Sequence, residues 1–143
     1  MVYEKEQALK DHYNSYPRGG TTIDDPRTLR SILDIAKCIV QPNSDVLDLG
    51  CASGVVSEMI RTNYDVNVTG VDFAFSRILI GKKERPGVKF IKQDIHEFVK
   101  TTKLKFDLII LFEWRLYQIA HGRALAAFKL IQPKRSEVQF LLW

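Results

Sequence analysis

Four carboxylates of this chain each follow an apolar stretch that is typical of a buried β-strand. They are Asp48, Asp72, Asp94 and Glu113. The carboxyl ends of parallel strands share one edge of a sheet, and ligands of open α/β folds bind at that edge. The sequence therefore predicts an acidic rim that accepts hydrogen bonds from the hydroxyl, amino or ammonium groups of a small molecule.

Small residues follow the first of these carboxylates and lead into a helix that we predict from Val55 onward. Gly50 and Gly54 have no side chain and Ala52 carries only a methyl group. A ligand can therefore approach the backbone and the N-terminus of the helix closely. Asp48, just before this turn, would repel a pyrophosphate, whereas it would attract an ammonium or sulfonium group.

The second carboxylate, Asp72, ends a strand that we predict over residues 66–72. An acidic side chain at this point of a strand–helix–strand unit is well placed to accept both hydroxyls of a ribose. Further strands are predicted over 88–91, 106–112 and 137–142, with helical patterns between them. This alternation predicts an α/β fold with a parallel sheet and right-handed crossovers.

Together these segments resemble the class I S-adenosylmethionine-dependent methyltransferases. The matching motifs are VLDLGCASG (46–54), VTGVDFAFSRI (68–78), VKFIKQDIHEF (88–98) and FDLIILFE (106–113), in the order found in the family. The resemblance implies a Rossmann-like, doubly wound and mostly parallel sheet with helices on both faces. It implies a domain over residues 26–143, preceded by an N-terminal cap segment over 1–25.

The resemblance also implies a set of cofactor-binding residues. They are Asp48, Gly50, Ala52, Gly54, Asp72, Phe73, Asp94, Ile95 and Phe112. The residues of the small-residue turn would surround the methionine and ribose parts of S-adenosylmethionine, and Asp72 would hold the ribose hydroxyls. Phe73 would lie against the adenine, Asp94 would accept from its amino group, and the Ile95 N–H would face a ring nitrogen.

The chemistry that the resemblance implies is transfer of a methyl group to a small-molecule or unspecified nucleophile by in-line displacement, with S-adenosylhomocysteine as the product. Since the methyl group of a sulfonium is already activated, the protein mainly aligns the nucleophile and excludes water. A fixed catalytic triad is therefore not expected. Glu113, next to Phe112 and the transferable methyl group, is the candidate catalytic residue.

The chain departs from the family in two places. Ala52 stands where the family usually has glycine. The sequence also stops at Trp143, within a fifth strand, so about five strands are expected and the final antiparallel hairpin is missing. An apolar edge over residues 137–143 would invite pairing with another copy or with a partner chain.

Two other interpretations stay open. The chain would be a catalytically inactive S-adenosylmethionine-binding or interaction module if the missing strands removed the substrate wall. A nicotinamide-dependent oxidoreductase domain is the other, and two residues argue against it. Asp48 precedes the turn, and Val55 stands where the pattern G-x-G-x-x-G requires glycine.

Composition is that of a globular domain, with a net charge of +4. The N-terminus is polar, and no apolar run reaches the length of a membrane span. Cys38 and Cys51 fit neither a disulfide framework nor a metal site, so a cytoplasmic setting without metal is expected. Residues 81–105 hold eight Lys/Arg against three acidic residues. We interpret this basic run as a solvated face and not as a nucleic-acid site.

Overall fold

The computed structural model describes residues 26–111 and 139–142 of the chain. Strands and helices alternate over this part. In chain order the elements are α1 (Pro26–Ile39), β1 (Asp45–Leu49), α2 (Val55–Tyr64), β2 (Asn67–Asp72), α3 (Phe75–Glu84), β3 (Lys89–Lys92), α4 (Ile95–Thr101), β4 (Leu108–Leu111) and β5 (Gln139–Leu142). The predicted segment 1–25, Phe112 and Glu113 lie outside the described residues.

The strands form one parallel sheet in the order β3-β2-β1-β4-β5. The chain builds outward from β1 to β3 and then returns to the other side of β1, where β4 pairs. The carboxyl end of β1 therefore lies at the point where the strand order reverses, and open α/β sheets bind ligands there. This topology confirms the predicted Rossmann-like parallel sheet.

Side chains of the strands are buried on both faces of the sheet, as is usual for parallel strands between helices. On one face Val46 belongs to an apolar cluster with Ile32 of α1, Ile60 of α2 and residues of α3. On the other face Leu47 lies in a second cluster with Phe98 of α4. Helices therefore cover both faces, as predicted.

Helix α1 covers the sheet with the apolar stripe that its sequence predicts. Ile32 and Ala36 are fully buried. Leu29, Leu33 and Ile39, which share the 3.6-residue period, pack against the same cluster. The stripe is the reason that this segment forms an amphipathic helix on the sheet.

Asp107 fixes how β4 joins the sheet. Its backbone N–H donates to the carbonyl oxygen of Asp45 at 2.7 Å, and its carboxylate Oδ2 accepts from the Asp45 N–H at 2.9 Å. One residue later the strands are in register, with Val46 opposite Leu108. The side-chain bond adds to the backbone ladder and sets this register at the start of both strands.

Across 26–111 and 139–142, no helix combines the length and apolar character needed to cross a bilayer.

Candidate functional site

The turn between β1 and α2 reverses the chain through left-handed backbone conformations. Gly50, Ala52 and Gly54 have φ angles of 76°, 50° and 79°. The Gly54 N–H donates to the Cys51 carbonyl at 2.8 Å, which closes the turn. L-residues adopt such angles at a cost of about 1–2 kcal/mol, so Ala52 is strained where its two glycine neighbours are not.

The two glycines of the turn are needed for different reasons. A Cβ on Gly54 would lie 2.5 Å from Cζ of Phe90 in β3, which is too close for any real side chain. A Cβ on Gly50 would lie 3.7 Å from Cδ1 of Ile95, an ordinary contact, and Gly50 is exposed at the rim. Gly54 thus makes room for Phe90, a purpose that the sequence did not indicate.

Backbone N–H groups of the turn are directed into the protein. Those of Gly50 and Cys51 donate to the Val71 carbonyl at 2.8 and 3.2 Å. The Ala52 N–H donates to Oδ2 of Asp72 at 2.9 Å, and the Gly54 N–H is used in the turn. A pyrophosphate site offers such groups to its ligand. The N–H groups of Gly50, Cys51, Ala52 and Gly54 are therefore not offered to a phosphate, in agreement with the acidic Asp48 before the turn.

Asp72 joins the turn after β1 to the turn after β2. Its Oδ2 accepts from the Ala52 N–H, and its Oδ1 accepts from the Ala74 N–H at 2.8 Å. The backbone N–H of Phe73 also bonds to this carboxylate. Since two carboxylate oxygens offer about four acceptor positions, Asp72 keeps capacity to accept from a ligand hydroxyl. Burial raises the pKa of Asp72, against the lowering effect of the bonds from Ala74 and Ala52 and of nearby Arg77.

Asp48 lies beneath the same turn and is 2% exposed. The hydroxyl of Ser57, in the first turn of α2, donates to its Oδ2 at 2.6 Å. Burial raises the pKa of Asp48 to about 6; the Ser57 bond lowers it and the negative charge of Asp72 raises it further. Asp48 is therefore sealed from direct contact with a ligand at the rim, and its carboxylate is bonded to Ser57.

Ser57 and Gly70 are two site residues that sequence reasoning missed. Gly70 lies opposite Asp48 in the sheet register. A Cβ there would be 2.7 Å from the sulfur of Cys51 and 3.5 Å from Oγ of Ser57. Gly70 thus provides the space for Cys51 and for the Ser57–Asp48 pair. The signal for Ser57 was a polar residue on the sheet-facing side of an otherwise amphipathic helix.

Cys51 is a buried structural residue of the turn. Burial raises the pKa of its thiol well above the ordinary value, and the nearby carboxylates of Asp48 and Asp72 act in the same direction. A thiol held in its neutral form is a poor nucleophile. Methyl transfer through this cysteine is therefore not supported by its surroundings.

The third carboxylate of the rim caps a helix. Oδ1 of Asp94 accepts from the N–H groups of His96 at 2.9 Å and Glu97 at 3.3 Å, at the start of α4. Ile95 is buried beside Gly50. Phe73 is half-buried directly after Asp72.

The ends of β2 and β3 are joined by the bond from the Gln93 N–H to the Asp72 carbonyl at 3.0 Å. The carboxyl ends of the first three strands therefore bring together one set of predicted residues, Asp48, Gly50, Ala52, Asp72, Phe73, Asp94 and Ile95. Phe112 and Glu113 fall outside the residues that the structure describes. No group of three His, Cys, Asp or Glu side chains within the described ranges is arranged to hold a metal ion.

Comparison with known proteins places the chain in a family. The family described as "Methyltransferase domain" matches residues 46–132, more than half of the chain. No curated protein matches the chain.

Solved structures share the fold. One is a magnesium protoporphyrin IX methyltransferase from Synechocystis PCC 6803 with bound S-adenosylmethionine. It is 17% identical with a TM-score of 0.65, over 87% of this chain and 68% of that one. S-adenosylmethionine-dependent methyltransferases from Geobacter sulfurreducens (17% identity, TM-score 0.65, 85% of this chain) and Thiobacillus denitrificans (20%, 0.60, 76%) hold S-adenosylhomocysteine. The chain spans only 51% and 45% of the length of these last two.

Proposed function

Because the chain belongs to the methyltransferase-domain family, we propose that its rim binds S-adenosylmethionine and that the protein transfers the methyl group to a small-molecule nucleophile. The observation that carries this proposal is Asp72. Its Oδ2 holds the N–H of Ala52 and its Oδ1 that of Ala74, Phe73 adds a further backbone bond, and the carboxylate keeps capacity to accept from the cofactor ribose.

The turn after β1 fits the remainder of that cofactor. Its N–H groups at positions 50, 51, 52 and 54 are used within the protein, so it does not require a phosphate. The positive charges of the cofactor, a sulfonium and an ammonium, suit the field of Asp48 and Asp72. Gly50, exposed and without a side chain, leaves the rim open for close approach.

The cofactor supplies an activated methyl group, and the residues of the chain supply binding and orientation. Asp72 fixes the ribose, Phe73 offers an apolar surface to the adenine, and Asp94 with Ile95 would meet the polar edge of the adenine. Glu113 remains the proposed contact to the methyl group or to the acceptor. In-line displacement from a sulfonium needs alignment and exclusion of water more than it needs an acid or a base.

Calorimetric titration of the purified chain with S-adenosylhomocysteine, and with NADH as the control ligand, tests the proposal. We expect saturable binding of S-adenosylhomocysteine only. Formation of S-adenosylhomocysteine from S-adenosylmethionine, measured with pooled small-molecule acceptors, then tests transfer. Binding of NADH, or no binding in a sample shown to be folded by circular dichroism, would contradict the cofactor assignment. Binding without transfer to any acceptor would support an inactive cofactor-binding module instead.

A further inference from the structure

The end of α3 and its connection to β3 lie directly behind the turn over residues 50–54. A Cβ on Gly81 of α3 would be 2.5 Å from the ring of Phe90 and 2.9 Å from the Ser53 carbonyl oxygen. Phe90 thus fills the space that Gly54 and Gly81 both leave open. The turn and the last part of α3 are therefore in van der Waals contact around one aromatic ring.

Arg85, the residue that ends α3, adds a polar contact at the same place. Its Nη1 donates to the Ser53 carbonyl at 3.1 Å and contacts Glu84 Oε2 at 3.0 Å. The backbone of Arg85 is itself fixed, since its N–H donates to the Gly81 carbonyl at 2.8 Å and its carbonyl accepts from Val88 at 3.1 Å. The guanidinium therefore reaches the turn from an anchored position.

The bond from Arg85 falls on one particular peptide group. That group joins Ser53 to Gly54: its N–H donates to the Cys51 carbonyl at 2.8 Å, and its C=O accepts from Arg85. Both polar ends of the peptide plane are held, so the plane cannot rotate without breaking a hydrogen bond. It links the strained Ala52 to the start of α2, where a cofactor would meet the turn.

A second arginine holds the same connection to α2. Arg61 of α2 bonds Glu58 through two nitrogens, each at 2.8 Å. Its guanidinium also lies where a Cβ on Gly87 would be, 2.5 Å from Cζ. Arg61 therefore packs on the connection between α3 and β3, and its guanidinium donates to Glu58 and not to residues 50–54. This makes it a matched control for Arg85.

We infer that Arg85 is a positioning residue of the cofactor site, which orients the Ser53–Gly54 peptide from behind and so keeps the turn in the shape that S-adenosylmethionine binds. The expected effect of Arg85 on cofactor affinity rests on the proposed function. The expected effect of Arg85 on the turn does not depend on any ligand.

The test compares Arg85→Met with Glu84→Gln and Arg61→Met. Glu84→Gln removes the carboxylate beside Arg85 but leaves the bond to Ser53, and Arg61→Met removes an arginine of similar exposure (32% against 21% of the side chain). Amide hydrogen exchange of Gly54 is measured by NMR in the ligand-free chain, and the affinity for S-adenosylhomocysteine by calorimetry. Thermal unfolding reports global stability.

In Arg85→Met we expect about tenfold faster exchange of the Gly54 amide and about tenfold weaker binding of S-adenosylhomocysteine. The net contribution of one hydrogen bond corresponds to about a tenfold change in an equilibrium constant. Both controls should keep Gly54 exchange and affinity near those of the unmodified chain. Exchange and affinity in Arg85→Met that equal those of the controls would overturn the inference. If the unmodified chain does not bind S-adenosylhomocysteine, the proposed function fails, while Gly54 exchange still decides the role of Arg85.

Discussion

Asp48 and Asp72 lie near the carboxyl ends of neighbouring parallel strands and on the same face of the sheet, with Asp72 two residues further along the register, and they are held differently. Asp48 receives a side-chain hydroxyl, from Ser57 at 2.6 Å, beneath the turn. Asp72 receives two backbone N–H groups, from Ala52 and Ala74, at the edge of the turn. The first carboxylate is sealed inside the protein, and the second organises the backbone that a ligand meets.

The two carboxylates therefore differ in how they affect the stability of the fold and the binding of a ligand. Burial raises the pKa of both carboxylates, so ionisation is costly at each. At Asp72 bonds from backbone N–H groups oppose that cost and hold the surrounding loops, whereas Asp48 has the Ser57 hydroxyl. We infer that Asp48 acts on a ligand through its field and that Asp72 serves both the fold and the ligand.

Of the substitutions considered, Asp48→Asn is expected to change the stability of the fold most, and to increase it. The pKa of Asp48 rises from an ordinary 3.8 to about 6 on folding. Between these values the folded chain keeps a proton that the unfolded chain has released, so stability falls as pH rises from about 4 to 6 and stays reduced above 6. The shift corresponds to about 3 kcal/mol as an upper bound.

Urea unfolding of the unmodified chain and of Asp48→Asn, at pH 5 and pH 8, measures this effect. The variant should be more stable at pH 8 and should show a smaller loss between the two pH values. Its affinity for S-adenosylmethionine should fall, because the field at the rim is weaker. If the variant were less stable than the unmodified chain at pH 8, ionised Asp48 would support the fold as Asp72 does, and the proposed distinction between the two carboxylates would be wrong.

Asp72→Asn should act in the opposite direction on stability and more strongly on binding. The amide nitrogen cannot accept, so the N–H of either Ala52 or Ala74 loses its acceptor. Loss of a charged acceptor for the ribose hydroxyls should weaken S-adenosylhomocysteine binding about 100-fold, or about 2.7 kcal/mol. Calorimetry at pH 8 measures the affinity. Unchanged affinity would show that Asp72 does not contact the cofactor.

Gly54 and Gly50 offer a second comparison between a residue that faces the interior and a residue exposed at the rim. Gly54→Ala places a methyl group against Phe90 in addition to backbone strain, whereas Gly50→Ala adds strain without a clash. We expect Gly54→Ala to be less stable than Gly50→Ala by about 2 kcal/mol, a typical cost of overpacking. Gly50→Ala should weaken cofactor binding and lose only the cost of backbone strain, about 1–2 kcal/mol. Paired urea unfolding and calorimetry measure both quantities, and equal losses of stability would argue against the Phe90 contact.

The smallest effect is expected at the strained alanine. Ala52→Gly relieves a φ of 50° but makes the unfolded chain more flexible, so the net gain should be between about 0 and 1 kcal/mol. Ala74→Gly is the control, since Ala74 has a φ of −74° and the substitution should destabilise by about 0.5–1 kcal/mol. Thermal unfolding of both variants gives the comparison; a loss of stability in Ala52→Gly as large as in Ala74→Gly would contradict it.

The sequence predicted the described elements because their patterns are local. The stripe of α1, the strands before Asp48 and Asp72, and the proline–glycine turn before β3 can each be recognised within a few neighbouring residues. The alternation of strands and helices, together with the resemblance to a family, predicted a doubly wound parallel sheet but not the order of its strands.

Contacts between distant segments could not be predicted in this way. Arg85 reaches Ser53 over 32 residues of sequence, and Phe90 meets Gly54 only because β3 lies behind the turn. Gly54 was interpreted as a clearance for a ligand, since the sequence shows a missing side chain but not the neighbour that needs the space. Ser57 was overlooked because a serine in the first turn of a helix is common at solvent-exposed positions as well.

The hydrogen bonds that join Asp107 to Asp45 also bear on the route by which the chain folds. These residues are 62 positions apart, so β4 can add to the sheet only after a long loop has closed. During synthesis β1, β2 and β3 emerge first, and one edge of β1 stays open until β4 arrives. A slip by one residue would then turn Leu108 and Ile109 to the wrong faces. Because the Asp107 carboxylate accepts from the Asp45 N–H in particular, it favours the correct pairing register of β4 with β1 over the shifted one.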